Sequence, residues 1–432
     1  MEVITRNINM LTDKNLRIVV FSLILIFPIV TNLITHAGSV VLTLLALLGL
    51  PACLIKKDRP MLTYEEKLVM LAFVAYFGVY LFSFSWNGLW GNLDDLRLKY
   101  LDHEMRMMLI IPIFFLLRRV QIPPSVLWYG VAAGAVTAGV YAIVFSVWLS
   151  PGSRVAASYH AIAFGDLATV LAFMSLLGLR FFRQMHVAFL VVPIMAFALG
   201  IIASILSETR GAWIAVPAFL AIMFFYWRRY LNPLQLTSIV ILIFLILLSV
   251  YKMPESRIAN RVQLVYEEVT NYSYDLEANN TTATAERIEG WLAGWEIYKE
   301  YPFLGAGPGN FKPKVLKMIA EGKRSRIISK HSQPHNVYLS IMADCGTFGI
   351  LALLAIFIVP LWASVSAIKR GEGGTEVGYA GLILIVGFMH FGLTETIFGR
   401  NINVSFYVIM LAVVMSIAAG YRDLLFNDKH FN

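Results

Sequence analysis

Charged residues are scarce in this sequence. Of 432 residues, 35 are Lys or Arg and 27 are Asp or Glu, so 14% are charged whereas 58% are hydrophobic. A soluble globule of this size needs much more polar surface, so the composition excludes a soluble protein. Repeated apolar runs of about 20 residues can cross a bilayer as helices, and they lack the alternating ten-residue pattern of a membrane barrel.

Cysteine is almost absent as well. The predicted topology puts the two cysteines, Cys53 and Cys345, near opposite membrane faces, which is too far apart for a disulfide. We expect each to be a small buried apolar side chain rather than a catalytic thiol.

Two further features are missing from the apolar part of the chain. The predicted spans contain almost no charge, and the two halves of the sequence do not repeat each other. A transporter for lipid-linked sugars or anions should have polar residues at mid-span or an internal repeat. A transporter is therefore the weaker alternative from another functional class.

Hydrophobic runs predict about twelve transmembrane helices in an all-α polytopic fold. The predicted spans are residues 16–35, 37–55, 68–86, 105–117, 126–149, 161–179, 187–206, 212–226, 234–251, 348–368, 377–393 and 403–419. We divide the chain into residues 1–251 with spans one to nine, a large outer loop over residues 252–335, and residues 336–432 with the last three spans.

Basic residues predict the orientation of these spans. With the N-terminus inside, each even-numbered connection is basic, as the positive-inside rule requires. The residues concerned are Lys56, Lys57, Arg59, Arg118, Arg119, Arg180, Arg183, Arg228, Arg229, Lys369, Arg370 and Arg422. Cations on the opposite side then need another reason, either an anionic ligand or lipid phosphate. They include Arg97, Lys99, Arg106, Arg154, Arg210 and Arg400.

Arg210 is the most unusual of these cations. It stands in Ser207-Glu208-Thr209-Arg210-Gly211, with a whole apolar span on either side. The pattern predicts a tight corner between two helices near the outer surface. We expect a functional role for Arg210, with a structural pairing to Glu208 as the alternative.

The outer loop contains a predicted helix. Thr284-Ala285-Glu286-Arg287 is typical of a helix N-terminus. Arg287, Trp291 and Trp295 follow at a spacing of four, which puts them on one helical face. The two indoles suit a helix at the membrane interface, where they could serve only as anchors.

A glycine-rich turn and a basic stretch follow this helix. Residues 301–311 hold three glycines and two prolines, which indicates a tight turn whose backbone amides could approach a phosphate. The basic run over residues 312–330 could lie on anionic lipid headgroups.

Two histidines close the loop. His331 and His335 are four residues apart, but Pro334 disfavours a helix between them and no other ligands complete a metal site. We expect no metal and no cofactor. Imidazole accepts a proton near neutral pH, so His335, at the entrance of the next helix, is predicted to be a general base.

Three blocks of residues, taken in this order and topology, resemble the O-antigen ligase and polymerase superfamily of bacterial inner membranes. They are Ser207-x-Thr209-Arg210-Gly211-Ala212, then Arg287-x-x-x-Trp291 with Pro302-x-x-Gly305-x-Gly307-x-x-x-Phe311, and finally Pro334-His335-Asn336-x-x-Leu339. The resemblance covers roughly residues 200 to 345. The first half of the chain matches only as a set of spans.

The resemblance implies a multi-pass enzyme of the bacterial inner membrane with a glycosyltransferase C-like fold and an active site facing the periplasm. Its donor would be a glycan on undecaprenyl pyrophosphate, and its acceptor a sugar hydroxyl of the lipid A core, joined with inversion and without metal. His335 would be the general base, and Arg210 and Arg287 would hold the donor pyrophosphate. Membrane lipids would surround the chain, which we expect to be a monomer that binds no nucleic acid.

Further residues are predicted to bind substrate or to support the site. Trp291, Asn336, Tyr338, Arg97 and Arg400 are the additional candidates for substrate binding. His103 and Arg106, and Glu395 beside Arg400, could also touch phosphate or acceptor. Asp166 and His160 are expected to form a buried polar pair that holds helices together.

Within the superfamily, an O-antigen polymerase and a protein O-oligosaccharyltransferase remain open. One dominant outer loop favours the ligase over the polymerase, which often has two. The short segment after the last span, ending at Asn432, favours the ligase over protein glycosyltransferases, which often carry C-terminal extensions.

Overall fold

The computed structural model describes residues 2–55, 59–90, 98–157, 160–235, 282–371 and 374–428, together with residues 237, 263, 266, 267 and 270. The regular elements in these ranges are all helical, so the chain is an all-α polytopic membrane protein, as predicted. In chain order the described helices are α1 (Glu2–Leu33), α2 (Ala37–Leu54), α3 (Tyr64–Trp90), α4 (Asp102–Met107), α5 (Ile110–Val120), α6 (Pro124–Val144), α7 (Ala161–Leu177), α8 (Leu179–Met185), α9 (Val191–Leu206), α10 (Arg210–Trp227), α11 (Ala283–Glu300), α12 (Phe311–Ala320), α13 (Val337–Arg370), α14 (Gly374–Phe391) and α15 (Asn401–Asp428).

Most of the twelve predicted spans correspond to helices among the described residues. Among the described residues, eight helices are long and apolar enough to cross a membrane, or nine if α7 and α8, bent by 48°, count as one span. Helix α10 is shorter and apolar. The predicted ninth span, residues 234–251, lies almost entirely outside the described residues.

The predicted fourth span, residues 105–117, is interrupted. Helix α4 ends at Met107, and α5 begins at Ile110 with only 11 residues. Eleven residues rise about 16 Å as a helix, roughly half of the hydrocarbon thickness. Most of its apolar side chains are buried against other helices, so α5 is an internal helix of the bundle.

Glycines bring α6 close to two neighbouring helices. Gly130 and Gly134, four residues apart, face the α1 backbone, and a β-carbon on Gly134 would lie 2.6 Å from Pro28 Cβ. Further along α6, a β-carbon on Gly139 would lie 2.4 Å from Leu199 Cβ in α9. In lipid, where helices gain little from burying apolar surface, such close backbone approach supplies much of the packing energy.

Helix α13 is broken near its N-terminal end. Gly346 has φ of 63° and ψ of −152°, which interrupts the helical hydrogen bonds. The carbonyl of Ala343 accepts from the Ala306 amide at 2.8 Å, and the carbonyl of Asp344 accepts from the Gly307 amide at 3.1 Å. The Ser83 hydroxyl of α3 also donates to Asp344, at 2.8 Å. Carbonyls freed by the break are thereby satisfied, as burial in an apolar bundle requires.

The glycine-rich turn therefore supplies hydrogen-bond donors to the broken part of α13. Gly305, Gly307 and Gly309 have φ values of 67°, 93° and 86°, which favour glycine. A β-carbon on Gly305 would lie 2.3 Å from the Asp344 backbone. The expectation that the amides of this turn approach a phosphate is wrong for Ala306 and Gly307, because both donate to α13.

The two ends of the bundle carry different charge networks. Ion pairs connect the cations predicted to lie inside to acids at the same end, in the pairs Arg118 with Glu66 and Asp423, Arg180 with Glu376, and both Arg370 and Arg422 with Glu65. Helices α13, α14 and α15 run from this end to the opposite one, where His335, Glu395 and Arg400 lie. The orientation of these ends across a membrane stays a prediction from the positive-inside rule.

Helix α15 occupies the centre of the bundle. The apolar window of its span, Asn401–Asp423, is 100% buried, whereas the window of α1 is 33% buried. It packs against α1, α2, α4, α5, α13 and α14. Its N-terminus follows the loop that carries Glu395 and Arg400, so the core of the bundle anchors that loop.

The cysteines are not joined to each other. Cys345 is buried in α13, and Cys53 is half-buried near the end of α2. Both are free.

We expect Gly139→Ala to destabilise the protein. The added methyl group would clash with Leu199 and push α6 and α9 apart, at a cost of about 1–3 kcal/mol. Gly78→Ala is the matched control, because no other atom lies within 4 Å of its β-carbon position. Thermal unfolding of the purified protein in detergent measures the difference, and equal melting temperatures for the two variants would contradict the packing described.

Candidate functional site

His335 lies where the outer loop turns into α13. Its backbone has φ of 53°, an uncommon conformation for a residue other than glycine. Asn336 then caps α13, with its side-chain oxygen accepting from the Leu339 amide at 3.0 Å. The Val337 amide donates to Gly392 at 2.8 Å, which joins this turn to the loop between α14 and α15. The strained turn directs the imidazole toward that loop, and 25% of the side chain remains exposed.

Glu395 is the main partner of His335. His335 Nδ1 lies 3.2 Å from Glu395 Oε1, and the Glu395 side chain is only 1% exposed. Arg400 lies 3.9 Å from the other carboxylate oxygen. Burial alone would raise the pKa of Glu395, but the His335 hydrogen bond and the charges of His335 and Arg400 hold that pKa below its usual value.

His331 occupies the other side of the His335 ring. His335 Nε2 lies 3.2 Å from His331 Nδ1, and the two rings are nearly perpendicular at 83°. His331 Nε2 lies 3.1 Å from Glu286 Oε2, and the other oxygen of Glu286 accepts from Lys330 at 2.6 Å. Burial lowers the pKa of His331, and a positive charge on His335 lowers it further, so the neutral form of His331 prevails at pH 7.

Helix α11 borders this histidine pair. Its N-cap is Thr282, two residues before the predicted Thr284, and the Thr282 hydroxyl accepts from the Ala285 amide at 3.2 Å. The Trp291 indole donates to the His335 carbonyl at 3.5 Å. Arg287 is half-buried, one turn before Trp291 on the same helix. Trp295, one turn further on, is exposed and packs on Tyr298, with ring centroids 5.3 Å apart.

The corner between α9 and α10 has the predicted tight geometry. The Thr209 hydroxyl donates to the Ala161 carbonyl at 2.8 Å and also contacts the Ser207 hydroxyl at 2.8 Å. A β-carbon on Gly165 would lie 2.1 Å from Ser207 Oγ, so glycine allows α7 to approach this corner. Arg154 donates to the Ser207 carbonyl at 2.5 Å.

Helix α10 begins at Arg210, beside the loop that carries Glu395. A β-carbon on Gly211 would lie 2.5 Å from Thr394 Oγ1 and 3.9 Å from an Asp166 carboxylate oxygen. The start of α10 and His335 are therefore at the same end of the bundle. The side chain of Arg210 is outside the part of the chain that the structure describes.

Two predicted substrate-binding residues are engaged in contacts within the protein. Besides capping α13, Asn336 donates its amide to the Leu393 carbonyl at 3.0 Å. The Tyr338 hydroxyl donates to the Met389 carbonyl at 2.7 Å. Both contacts tie the start of α13 to the end of α14 and so position His335.

The expected pair of Asp166 and His160 does not form. His160 caps α7 by accepting from the Ile162 amide at 3.3 Å. Asp166 is 2% exposed, and neither of its carboxylate oxygens has a hydrogen-bond partner among the described residues. Glu395, Arg154 and Arg400 are close enough to act on Asp166 electrostatically. Asp166 thus lies beneath the charged cluster.

The remaining predicted site residues precede α4 or lie on it. Arg97 lies outside the described residues. Arg106 pairs with Asp102 one turn away, at 3.0 Å, and His103 lies on the same short helix. Among the described residues, no group of three or more His, Cys, Asp or Glu side chains is arranged to hold a metal ion.

Glu286 and the contact between His331 and His335 were not predicted as parts of the site. Glu286 is 45 residues before His331, and Glu395 is 60 residues after His335. No local spacing in a single sequence reveals such pairs. The only sequence signal for these contacts was the predicted topology, which puts the loop over residues 252–335 and the loop that carries Glu395 on the same side of the membrane.

Known proteins are similar to this chain over the region that carries the site. A family model described as O-antigen ligase matches residues 195–354, which include Arg210, Arg287 and His335. An uncharacterized protein of Haemophilus influenzae is 23% identical over 410 residues, covering 94% of this chain and all of that protein. A protein of Escherichia coli named O-antigen ligase is 24% identical over 226 residues, about half of each chain. These matches relate the chain to the O-antigen ligase superfamily, with the family-model match confined to residues 195–354.

Proposed function

We propose that this protein transfers a glycan from undecaprenyl pyrophosphate to a sugar hydroxyl of the lipid A core at the periplasmic face of the inner membrane. The observation that carries the proposal is the pairing of His335 with the buried Glu395, at the bundle end where α10 begins with Arg210. A base and several cations are thereby available at one membrane surface.

The contact with Glu395 gives His335 a defined tautomer. Because an ionised carboxylate only accepts hydrogen bonds, the proton of neutral His335 belongs on Nδ1, facing Glu395. Nε2 then carries a lone pair that can take the proton of an acceptor hydroxyl. Glu395 also stabilises the imidazolium that results, as the carboxylate of a catalytic triad does.

The leaving diphosphate needs positive charge. Its negative charge grows as the bond to the anomeric carbon breaks, and guanidinium groups can stabilise that charge through paired hydrogen bonds. We assign this role to Arg210 and Arg287, with Arg400 as a further cation near His335. Backside attack by the acceptor oxygen would invert the anomeric carbon, and no metal ion is required.

An O-antigen polymerase and a protein O-oligosaccharyltransferase would use the same donor chemistry with another acceptor. The site described here does not favour either over the ligase. A transporter for lipid-linked sugars, the candidate from another class, would have no use for an imidazole fixed by a buried carboxylate. The nature of the product distinguishes these functions.

We expect His335→Ala to lower transfer about 10²- to 10⁴-fold, the usual contribution of a general base. Arg210→Ala should also lower transfer, because it removes charge stabilisation of the leaving group. The assay uses purified full-length protein, a lipid-linked glycan, lipid A core and a chelator. Wild-type rates from either variant would contradict the assigned roles, glycan elongation would identify a polymerase, and lipid movement without a new bond would identify a transporter.

We expect Glu395→Gln to lower kcat roughly 10- to 100-fold while the KM for the donor changes little, because the tautomer of His335 is no longer fixed. Glu300→Gln is the matched control, since Glu300 is a half-exposed acid paired with Lys314 on the outer loop. A loss of equal size in both variants would point to a general effect of charge on this surface.

A further inference from the structure

His331 faces the nitrogen that the proposed reaction requires. His335 Nε2 and His331 Nδ1 are 3.2 Å apart, within hydrogen-bonding distance. His331 was predicted only as a possible metal ligand and was rejected in that role. Its position beside the catalytic nitrogen gives it another possible role in the reaction.

Carboxylates fix both rings. Glu395 faces Nδ1 of His335 at 3.2 Å, and Glu286 faces Nε2 of His331 at 3.1 Å. Lys330 and His331 hold the pKa of Glu286 below its usual value although burial opposes them, and the pKa of Glu395 is lowered as well. Both acids are therefore ionised at neutral pH, and each ring nitrogen that faces them carries a hydrogen.

The two facing ring nitrogens of His335 and His331 carry no proton when both rings are neutral. Two neutral imidazoles carry two protons, and both are used toward Glu395 and Glu286. The nitrogens that face each other, Nε2 of His335 and Nδ1 of His331, are then both unprotonated. One additional proton between them would complete a third hydrogen bond, and this bond would be charge-assisted.

The geometry points to His331 and His335 acting together as the proton acceptor, with one captured proton shared between Nε2 of His335 and Nδ1 of His331. This inference rests on the proposed transfer reaction. As the acceptor oxygen bonds to the anomeric carbon, the electron pair of the broken bond leaves with the diphosphate. The hydroxyl proton moves to His335 Nε2 and is stabilised there by His331. It later passes to water.

Other charged groups surround the histidine pair and affect how strongly it binds a proton. Arg400 stands near Glu395 on the His335 side, and His160 and Arg154 lie close enough to this cluster to act on one another electrostatically. On the His331 side, Glu286 is 20% exposed and Lys330 is 66% exposed. Glu286 and Lys330 therefore connect His331 to solvent, to which the captured proton can return.

We expect His331→Gln to lower kcat about 10- to 100-fold, with the donor KM unchanged within about twofold. A base must be unprotonated to act, so kcat rises with pH through its pKa. Losing the partner that shares the proton weakens proton capture at this site, so this rise should move to lower pH. His186→Gln, a histidine at the other end of the bundle, should change neither quantity.

A double-mutant cycle separates this role from a structural one. If the two histidines act as a unit, adding His331→Gln to the His335→Ala variant should change the residual rate less than about twofold. An additive loss, an unmoved pH profile, or a raised KM at constant kcat would each overturn the inference. Should His331→Gln fail to fold, Glu286→Gln tests the same point, because His331 loses its fixed tautomer and kcat should fall several-fold.

Histidine nitrogen NMR of the labelled full-length protein tests the pair without any assay of transfer. In the wild type, His331 and His335 should take up their shared proton in one linked step, and His331→Gln should abolish that linked step. Linked uptake in a protein that forms no glycosidic bond would support the pair and refute the proposed function. Independent titration of the two rings, alongside transfer that depends on His335, would refute the pair alone.

Discussion

An ionised carboxylate inside an apolar helix bundle is costly unless cations or N–H groups surround it. Glu395 meets this condition through His335 and Arg400, and its oxygen also accepts from the Thr396 amide at 3.2 Å. The contact of Glu395 with His335 holds the end of the outer loop against the connection between α14 and α15. The start of α10 reaches the same place because Gly211 packs on Thr394. The candidate site is thus the set of groups that allow Glu395 to stay buried and charged.

Several parts of this arrangement could be predicted from sequence because they depend on local pattern. Hydropathy predicts the long spans, since each needs only a continuous apolar run. The corner at Arg210 and the entrance of α13 at Asn336 also follow from residues that are adjacent in the chain. The contact of His335 with Glu395 could not be predicted, because it depends on how two distant loops pack. The interruption of the fourth span was not predicted. Helix α5 is apolar because other helices bury it, and hydropathy alone does not distinguish such a short internal helix from a membrane span.

The glycine-rich turn shows how a correct local prediction can lead to a wrong function. Three glycines do produce a turn with positive φ values. The sequence does not reveal that α13 is broken at Gly346 and that its free carbonyls need donors. The amides of Ala306 and Gly307 meet that need, since unsatisfied carbonyls in an apolar environment cost more than an empty anion site. These two hydrogen bonds consequently attach the outer loop to the N-terminal part of α13.

The complete enclosure of α15 bears on how the protein is made. Helices leave the ribosome in chain order, and α15 is the last of the described spans, so the earlier helices must enter the bilayer before their central member exists. Until then, lipid or insertion factors have to fill the middle of the bundle. Glu395 and Arg400 immediately precede α15, so their loop gains its anchor only when that helix docks. A nascent chain therefore has no assembled charge cluster before α15 docks.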